Sequence, residues 1–167
     1  MSALLTSASV QRVQAALAAQ GLGDRIVELA ATARTAQDAA QSCGVPVGAI
    51  VKSLVFEIAG EPVLALLAGD RRCDVGALPG ILGRAGEARR CDAQKVRAAT
   101  GFAIGGVAPV GHLQPLPTAI DGSLARFARL FAAAGHPHCV FATTLPELQA
   151  LTGGTVSALL AATDPVD

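Results

Sequence analysis

The sequence predicts one α/β domain, in which a mixed, mostly antiparallel sheet curls into a barrel with helices around it. The chain has 167 residues, of which 51% are hydrophobic and 16% charged, enough apolar material for one well-packed core. No internal repeat or linker divides it, so residues 1–167 are expected to form a single domain. Hairpin patterns are interleaved with helical ones, whereas a doubly wound parallel sheet would alternate strand and helix strictly.

Five helices are predicted from their capping residues and from the spacing of apolar side chains. Each follows a Ser, Thr or Asp that can accept a hydrogen bond from the first turn, and most are followed by a helix-stopping Gly or Pro. The third is expected to be broken by Pro79-Gly80. In chain order, the caps and helices are Ser9 with 10–20, Thr35 with 36–43, Asp74 with a short helix to Leu78, Asp92 with 93–99, and Thr144 with 145–151.

The strands are predicted from apolar runs, and the most informative run is residues 51–70, VKSLVFEIAGEPVLALLAGD. It indicates strands at 50–58 and 62–67, joined as an antiparallel hairpin by a turn at Ala59-Gly60. Both strands are almost continuously apolar, as buried strands are. The other strands or short apolar segments are expected at 25–30, 87–90, 116–120, 129–134, 138–142 and 156–161, with a long shaped loop at 105–117.

Composition excludes several functional classes. Net charge is zero, and Trp and Tyr are absent, which disfavours DNA binding and base stacking on aromatic platforms. No apolar run reaches the length of a membrane span, and the N-terminus lacks the basic start of a signal peptide, so a cytoplasmic protein without membrane contact is expected. Four cysteines are widely spaced, without a C-x-x-C pair, so neither a zinc site nor a redox dithiol is indicated.

Lys52 stands among apolar neighbours in AIVKSLVF, at the head of the first strand of the hairpin. It is one of only two lysines, with Lys95, in a chain that otherwise uses arginine. Taken alone, such a lysine more often points to solvent, where its ammonium group stays hydrated. The alternative is that it points into a pocket and binds a phosphate, a carboxylate or a carbonyl.

A glycine-rich turn is present at Gly105-Gly106-Val107-Ala108-Pro109. It is neither a P-loop nor a dinucleotide fingerprint, because the required spacing is missing. Two glycines let a ligand approach the main chain, and free N–H groups could hold a carbonyl oxygen as an oxyanion hole does. A plain surface turn is an equally good interpretation of the spacing alone.

Several polar residues are candidates for acid–base or metal-binding groups. The histidines at 136 and 138 have no partner cluster at ligand spacing, so no metal is predicted. His112 lies after the glycine-rich turn, and Asp70 and Asp121 are candidates for paired carboxylates, although strand ends and turns also favour Asp. The nucleophile elbow G-x-S-x-G is absent, so no Ser-His-Asp hydrolase is indicated.

Six segments occur in a recognisable order: VKSLVF, PVLALLAGDRR, TGFAIGGVAPVGH, D-G-S-L, AAGHPH-VF and L-x-x-LTGG. This ordered set, from about residue 35 to about residue 160, resembles the YbaK/ProX family, the prolyl-tRNA-synthetase-associated editing domains. The resemblance implies a barrel-like mixed sheet and a free-standing aminoacyl-tRNA deacylase that uses no metal or cofactor. Its substrate would be a small mischarged amino acid, such as alanine, cysteine, serine or 2-aminobutyrate, esterified to a tRNA such as tRNA-Pro.

The resemblance also implies a site. Lys52 corresponds to the family's lysine beside the scissile ester, and residues 105–109 to the loop that holds the aminoacyl group. The partners implied are the aminoacyl-tRNA acceptor end and, with it, prolyl-tRNA synthetase or an elongation factor. The expected site residues are Lys52 as the catalytic residue, Ser53, Gly105, Gly106, Val107, Ala108, Pro109, His112 and Asp121 for substrate, and Arg71, Arg72, Arg89 and Arg90 for tRNA.

A second function, of a different class, is left open by the residues. The chain could hold an aminoacyl-tRNA end or another small ligand without hydrolysing it, because no acid–base pair is evident. The position of Lys52 separates the two hypotheses, since a lysine outside the main pocket and away from the loop would deprive a deacylase of its chemical centre.

Overall fold

The computed structural model describes residues 3–30 and 33–162. Within them, five α-helices and eight β-strands form one α/β unit. The helices are α1 (Ala8–Ala18), α2 (Ala36–Cys43), α3 (Leu78–Leu82), α4 (Ala93–Thr100) and α5 (Leu145–Thr152). The strands are β1 (Ile26–Glu28), β2 (Ile50–Ile58), β3 (Glu61–Ala68), β4 (Ala88–Arg90), β5 (Thr118–Asp121), β6 (Leu130–His136), β7 (Cys139–Thr143) and β8 (Thr155–Ser157).

All eight described strands belong to one mixed sheet, which curls into a half-barrel. The order across the sheet is β1-β7-β6-β2-β3-β5-β8, and β4 pairs with the far end of β2. The hairpins β2–β3 and β6–β7 are antiparallel, as are the β1–β7 and β2–β4 pairs. The pairs β2–β6, β3–β5 and β5–β8 are parallel. The predicted mixed, mostly antiparallel sheet is thus confirmed.

Four of the five predicted helix caps are correct, and the cap of the first helix is wrong. Thr35, Asp92 and Thr144 cap α2, α4 and α5 as expected. Helix α1 begins two residues earlier than predicted, because the Oγ of Ser7, and not that of Ser9, accepts from Val10 N. Asp74 also caps its segment, because its Oδ1 accepts from Ala77 N, but that segment is a 3-10 turn that continues into α3. Its proline lies in the first turn of α3, where no main-chain N–H is needed, so it starts the helix instead of breaking it.

The central hairpin is buried on both faces, which explains its nearly continuous apolar sequence. Val51 and Val55 on one face of β2 join the main core cluster, together with Leu64 and Leu66 of β3. The alternate residues of the hairpin, including Phe56, pack into a second cluster beneath α3. A strand between two apolar layers keeps few polar positions, so the polar ones that remain are informative.

One irregularity of the sheet positions the candidate site. The parallel ladder between β2 and β6 is only two residue pairs long, Ile50 with Phe131 and Val51 with Ala132. Strand β4 joins the same edge of β2 only from Phe56 onward. Between these two ladders, the middle of β2 has a strand partner on its β3 side alone among the described residues, and β6 diverges from it.

No described helix is long and apolar enough to cross a bilayer.

Candidate functional site

A cavity of about 300 Å³ occupies the gap between β2 and β6. Its floor and sides are largely apolar, and the polar groups on its wall are few, as is typical of small-ligand sites. The glycine-rich loop closes one side, and the start of α2 closes another. The lining residues that bear on binding or chemistry are Arg34, Thr35, Lys52, Ser53, Arg90, Ile104, Gly105 and Val107.

Ser53 presents its main chain to this cavity. Alternate residues of a strand direct their N–H and C=O groups to opposite sides. The carbonyl of Val55 accepts from Cys91 N, on the side of β2 away from β3, and Ser53 has the same parity. Ser53 lies beyond the end of the β2–β6 ladder, so its N–H and C=O face the gap.

The Ser53 side chain adds a second polar group to the same wall. Its Oγ is buried and has no hydrogen-bond partner among the described residues. A buried hydroxyl without a partner costs free energy, so such atoms are rare in native structures and mark places where a ligand or water completes the bonding. The strand alternation places Ser53 on the face of Val51 and Val55, which also line the cavity.

Lys52 lines the cavity next to Ser53 and is half-buried. Its Nζ donates to the carbonyl oxygen of Arg71 at 2.5 Å. Burial lowers the pKa of Lys52, and the nearby carboxylates of Asp70 and Asp121 partly offset that effect. The ammonium is therefore held in place by one fixed bond, with donors left for a ligand.

Every charged residue that lines the cavity is a cation. These residues are Arg34, Lys52 and Arg90, and no Asp, Glu, His or Cys is among the described lining residues. The Arg90 guanidinium lies 5.6 Å from the centre of the Phe56 ring. In a partly enclosed space, such a set favours a phosphate, a carbonyl oxygen or a developing oxyanion over a cationic group.

The glycine-rich loop contributes two of its five predicted residues to the cavity wall. Gly105, with φ at +95°, and Val107 line it directly, and exposed Ile104 precedes them. Gly106 packs against β6, since a Cβ there would lie 3.1 Å from His136 Cα. Ala108 and Pro109 are buried behind the loop and are not among the lining residues.

His112 and Asp121, predicted as substrate-binding residues, lie away from the cavity wall. The Nε2 of His112 is 2.7 Å from the carbonyl oxygen of Ala108, its ring packs edge-on against Phe102, and burial lowers its pKa. Asp121 is buried, and its carboxylate accepts from Ala68 N, Ser123 N and Ser123 Oγ. The visible contacts of both residues anchor neighbouring segments of the chain.

The predicted tRNA-contacting arginines occupy different surroundings. Arg90 lines the cavity, whereas Arg89 lies opposite Glu57 in the β2–β4 ladder. Arg71 lies beside Asp70, with Nε 3.8 Å from Oδ1, and its carbonyl is the acceptor for Lys52. The carbonyl of Arg72 accepts from Ala162 N at the end of the described chain.

The cysteines do not form a further reactive centre. Burial raises the pKa of all four thiols, and that of Cys73 to about 11. A thiol in that state is a poor nucleophile at neutral pH. Across the described residues, no group of His, Cys, Asp and Glu has the arrangement of a metal site.

Two polar residues of the cavity wall are not evident from the sequence. Arg34 and Thr35 come from the start of α2, where the sequence identifies Thr35 only as the helix cap. The sequence does place Arg34 directly before a helix cap, and the ends of helices often border ligand sites. Nothing in the local sequence shows that α2 lies beside β2 and β6.

Comparison with known proteins identifies the family of this chain. The family model described as the aminoacyl-tRNA editing domain matches residues 30–151. The uncharacterized protein YwhH of Bacillus subtilis (strain 168) is 32% identical over 124 residues, covering 74% of this chain and 78% of YwhH. The proline–tRNA ligase of Nitratidesulfovibrio vulgaris is 38% identical over 79 residues, which cover 47% of this chain but 14% of the ligase.

Solved structures give the same result. A protein proposed as a trans-editing enzyme for prolyl tRNA synthetase has a TM-score of 0.84 and 44% identity, covering 96% of this chain and 98% of its own. The hypothetical protein APE2540 has a TM-score of 0.81 and 26% identity, covering 90% of this chain and 99% of its own. Residues 30–151, which the family model matches, include β2, the glycine-rich loop and every polar residue of the described cavity wall. The chain therefore belongs to the aminoacyl-tRNA editing domain family.

Proposed function

We propose that this protein is a trans-editing deacylase, which hydrolyses the ester between a small mischarged amino acid and the 3′-terminal adenosine of a tRNA, with tRNA-Pro as the first candidate. Membership of the editing family and the similarity to a proposed trans-editing enzyme support the reaction class. The observation that carries the proposal is that Lys52 and Ser53, whose Oγ has no partner among the described residues, both line one cavity that has no carboxylate in its described wall.

The chemistry depends on these donors. Water attacks the ester carbonyl carbon, and the carbonyl oxygen becomes an oxyanion in the tetrahedral intermediate. In this proposal the Ser53 N–H and Oγ–H donate to that oxygen, and the Lys52 ammonium favours the negative charge that develops on it. The intermediate then collapses, the bond from carbon to the ribose oxygen breaks, and the ribose hydroxyl and the free amino acid leave.

The proton from the attacking water needs an acceptor other than a cavity carboxylate or imidazole, because neither lines the described wall. The substrate supplies one in the neighbouring ribose hydroxyl, which can relay the proton to the leaving oxygen. In this proposal the protein contributes electrostatic stabilisation and orientation, and the substrate contributes the proton relay.

The apolar part of the wall supplies selectivity for side-chain size. A cavity of about 300 Å³ accepts a small aminoacyl group more readily than a bulky one. A hydrophobic pocket distinguishes neighbouring sizes by only about 1–3 kcal/mol per methylene. We therefore propose activity on a group of small esters, of the alanine, serine, cysteine and 2-aminobutyrate type, and not on one of them alone.

The test is a deacylation panel with a lysine-matched control. Purified wild type, Lys52→Ala and Lys95→Ala are incubated with tRNA-Pro and tRNA-Cys charged with each small amino acid or with proline. Loss of the Lys52 ammonium is expected to lower the first-order rate on the preferred ester about 10²-fold or more. Lys95 pairs with Glu57 away from the cavity, so its removal is expected to leave the rate unchanged.

Two outcomes would contradict the proposal. If every ester decays at its rate without enzyme while binding to the charged tRNA is still measured, the protein is a binding module. If Lys52→Ala retains the wild-type rate, the chemical centre lies elsewhere in the molecule.

A further inference from the structure

Helix α1 lies outside residues 30–151, the part that matches the editing family, yet it contacts the segment that forms the cavity wall. Its apolar face, with Val10, Val13 and Leu17, is buried in the main core. Arg12, on the same helix, points to the loop instead. Nε donates to the carbonyl of Gly111 at 3.2 Å, and Nη2 donates to the carbonyl of Gly101 at 2.8 Å.

One side chain thus joins both ends of the segment 101–111. The Arg12 guanidinium also lies 4.8 Å from the centre of the Phe102 ring. Gly101 and Gly111 both have φ at +80°, and a Cβ at Gly111 would lie 3.1 Å from the main chain of Arg12. Glycine at these two ends therefore allows the loop to approach α1 as closely as the hydrogen bonds require.

The part of the loop between those ends is the cavity wall. Ile104, Gly105 and Val107 line the cavity, and the described segment 101–117 contains neither helix nor strand. Without a ladder, the position of such a loop depends on separate contacts, of which those of Arg12 are charge-assisted and so among the stronger. Other contacts of this segment include the bond between His112 Nε2 and the Ala108 carbonyl and, at the ends of the segment, the bond from Leu113 N to the Thr100 carbonyl.

Helix α1 also packs against the end of β6, on which the loop rests. Gly135, at the end of β6, fits against the carbonyl of Ser9, since a Cβ there would lie 2.8 Å from that oxygen. Gly106 in turn packs on the main chain of His136. Helix α1, the end of β6 and the loop are therefore stacked, and a shift of α1 would move both the loop and the strand end that it packs on.

We infer that Arg12 is a positioning residue that fixes the width of the cavity, and that it thereby sets the amino-acid selectivity of the proposed deacylation. The inference rests on the proposed function. It assigns a role in that reaction to a helix that the family match does not include. Because a shift of about 1 Å in a site wall can change a rate about 10²-fold, a loosened loop is expected to alter rates without any lost contact to substrate.

The test compares Arg12→Lys and Arg12→Ala with wild type, using Arg97→Ala as a matched control. Lysine keeps the charge but lacks the planar fork that reaches both carbonyls, so Arg12→Lys is expected to behave like Arg12→Ala. Arg97 is exposed on α4 and lines no part of the cavity. Single-turnover rates are measured for alanyl, 2-aminobutyryl and valyl esters, together with thermal melting of each variant.

We expect the single-turnover rate on the alanyl ester to be about 10-fold lower in both Arg12 variants than in wild type. The ratio of the alanyl rate to the valyl rate is expected to fall. Methylguanidinium is expected to restore the ratio in Arg12→Ala and to have no effect on Arg97→Ala. Variants that melt at a lower temperature but keep the wild-type ratio would overturn the inference, because they would show a contribution to stability alone.

A second measurement needs no substrate. Amide hydrogen exchange in residues 101–111 is expected to be faster in both Arg12 variants and unchanged in Arg97→Ala. Unchanged exchange would overturn the bracing role, whatever the kinetics. A wild type that hydrolyses no ester would overturn the proposed function and the selectivity claim, while the exchange result would still decide whether Arg12 holds the loop.

Discussion

The Ser53 hydroxyl is expected to lower the stability of the unliganded protein. A role in binding or catalysis would explain why serine occupies this position. Its Oγ is buried without a partner among the described residues, although the position lies between two core valines where alanine would fit. Leaving such a group unsatisfied costs about 1–3 kcal/mol. A residue that lowers the stability of the unliganded protein and faces a cavity is typical of a group kept for binding or catalysis.

Replacing Ser53 by alanine is expected to change stability and activity in opposite directions. Removal of the unsatisfied hydroxyl should raise the free energy of unfolding by about 1 kcal/mol, or Tm by about 3 °C. The deacylation rate should fall about 10-fold or more, because one oxyanion donor is lost and the main-chain donor remains. Differential scanning calorimetry and single-turnover kinetics measure the two effects.

Ser123→Ala is the matched control, because its Oγ donates to Asp121 and its removal is expected to lower Tm. If Ser53→Ala were less stable and fully active, Ser53 would be an ordinary core residue.

At the scale of elements, the site depends on where strands stop pairing. β2 pairs with β3 from Val51 to Ile58, but on its other edge it pairs with β6 at its start and with β4 at its end. On the other edge of the hairpin, the Asp121 carboxylate links the end of β3 to the end of β5. Its buried carboxylate satisfies two main-chain N–H groups that have no strand partner there.

Asp121→Ala is therefore expected to destabilise the fold by about 3 kcal/mol, since the buried N–H of Ala68 and the partly buried N–H of Ser123 would lose their acceptor. Asp121→Asn keeps one acceptor oxygen and is expected to cost about half as much. Urea unfolding of both variants gives the free energies. An Asp121→Ala protein with wild-type stability and no deacylase activity would instead support the substrate-binding role that the sequence suggested.

The elements themselves could largely be predicted, because their causes are local. Apolar runs around the turn at Ala59-Gly60 define the central hairpin, and Thr35, Asp92 and Thr144 each cap a helix. The errors arose where two local signals competed, as at Ser7 and Ser9, or where proline can either begin or end a helix. Neither choice can be made without the packing of the helix against its neighbours.

The site was predicted only in part, for a different reason. Lys52, Ser53, Gly105 and Val107 could be named from their types and from the family resemblance, and all four line the cavity. Their catalytic and binding roles stay predictions. Arg34 and Arg12 could not be found, because their contacts join segments far apart in the chain and depend on how α1 and α2 pack on the sheet.

The molecule as a whole is neutral, yet the charged residues of its cavity wall are cations alone. The net charge is zero, while Arg34, Lys52 and Arg90 face the gap without a carboxylate among the described lining residues. Many other cations are neutralised locally, as Arg25 is by Glu147 and Arg126 by Asp70. Such a distribution favours contact with the phosphates of one nucleic-acid end, and disfavours binding along a duplex.

Salt dependence tests this distribution. The logarithm of the second-order rate on charged tRNA is expected to fall linearly with the logarithm of salt concentration. Arg34→Ala and Arg90→Ala should each reduce that slope by about 0.7, the value for one phosphate contact on a single strand. Arg97→Ala should leave the slope unchanged. Equal slopes in all four proteins would show that neither cavity arginine contacts a phosphate.

The short ladder between β2 and β6 also has a consequence for biosynthesis. The hairpins 50–68 and 130–143 are local structures, and each can form soon after its own residues leave the ribosome. The cavity belongs to neither hairpin, since it exists only where the two dock through two residue pairs. A nascent chain therefore has no binding cavity until its second hairpin has been synthesised and has docked on the first.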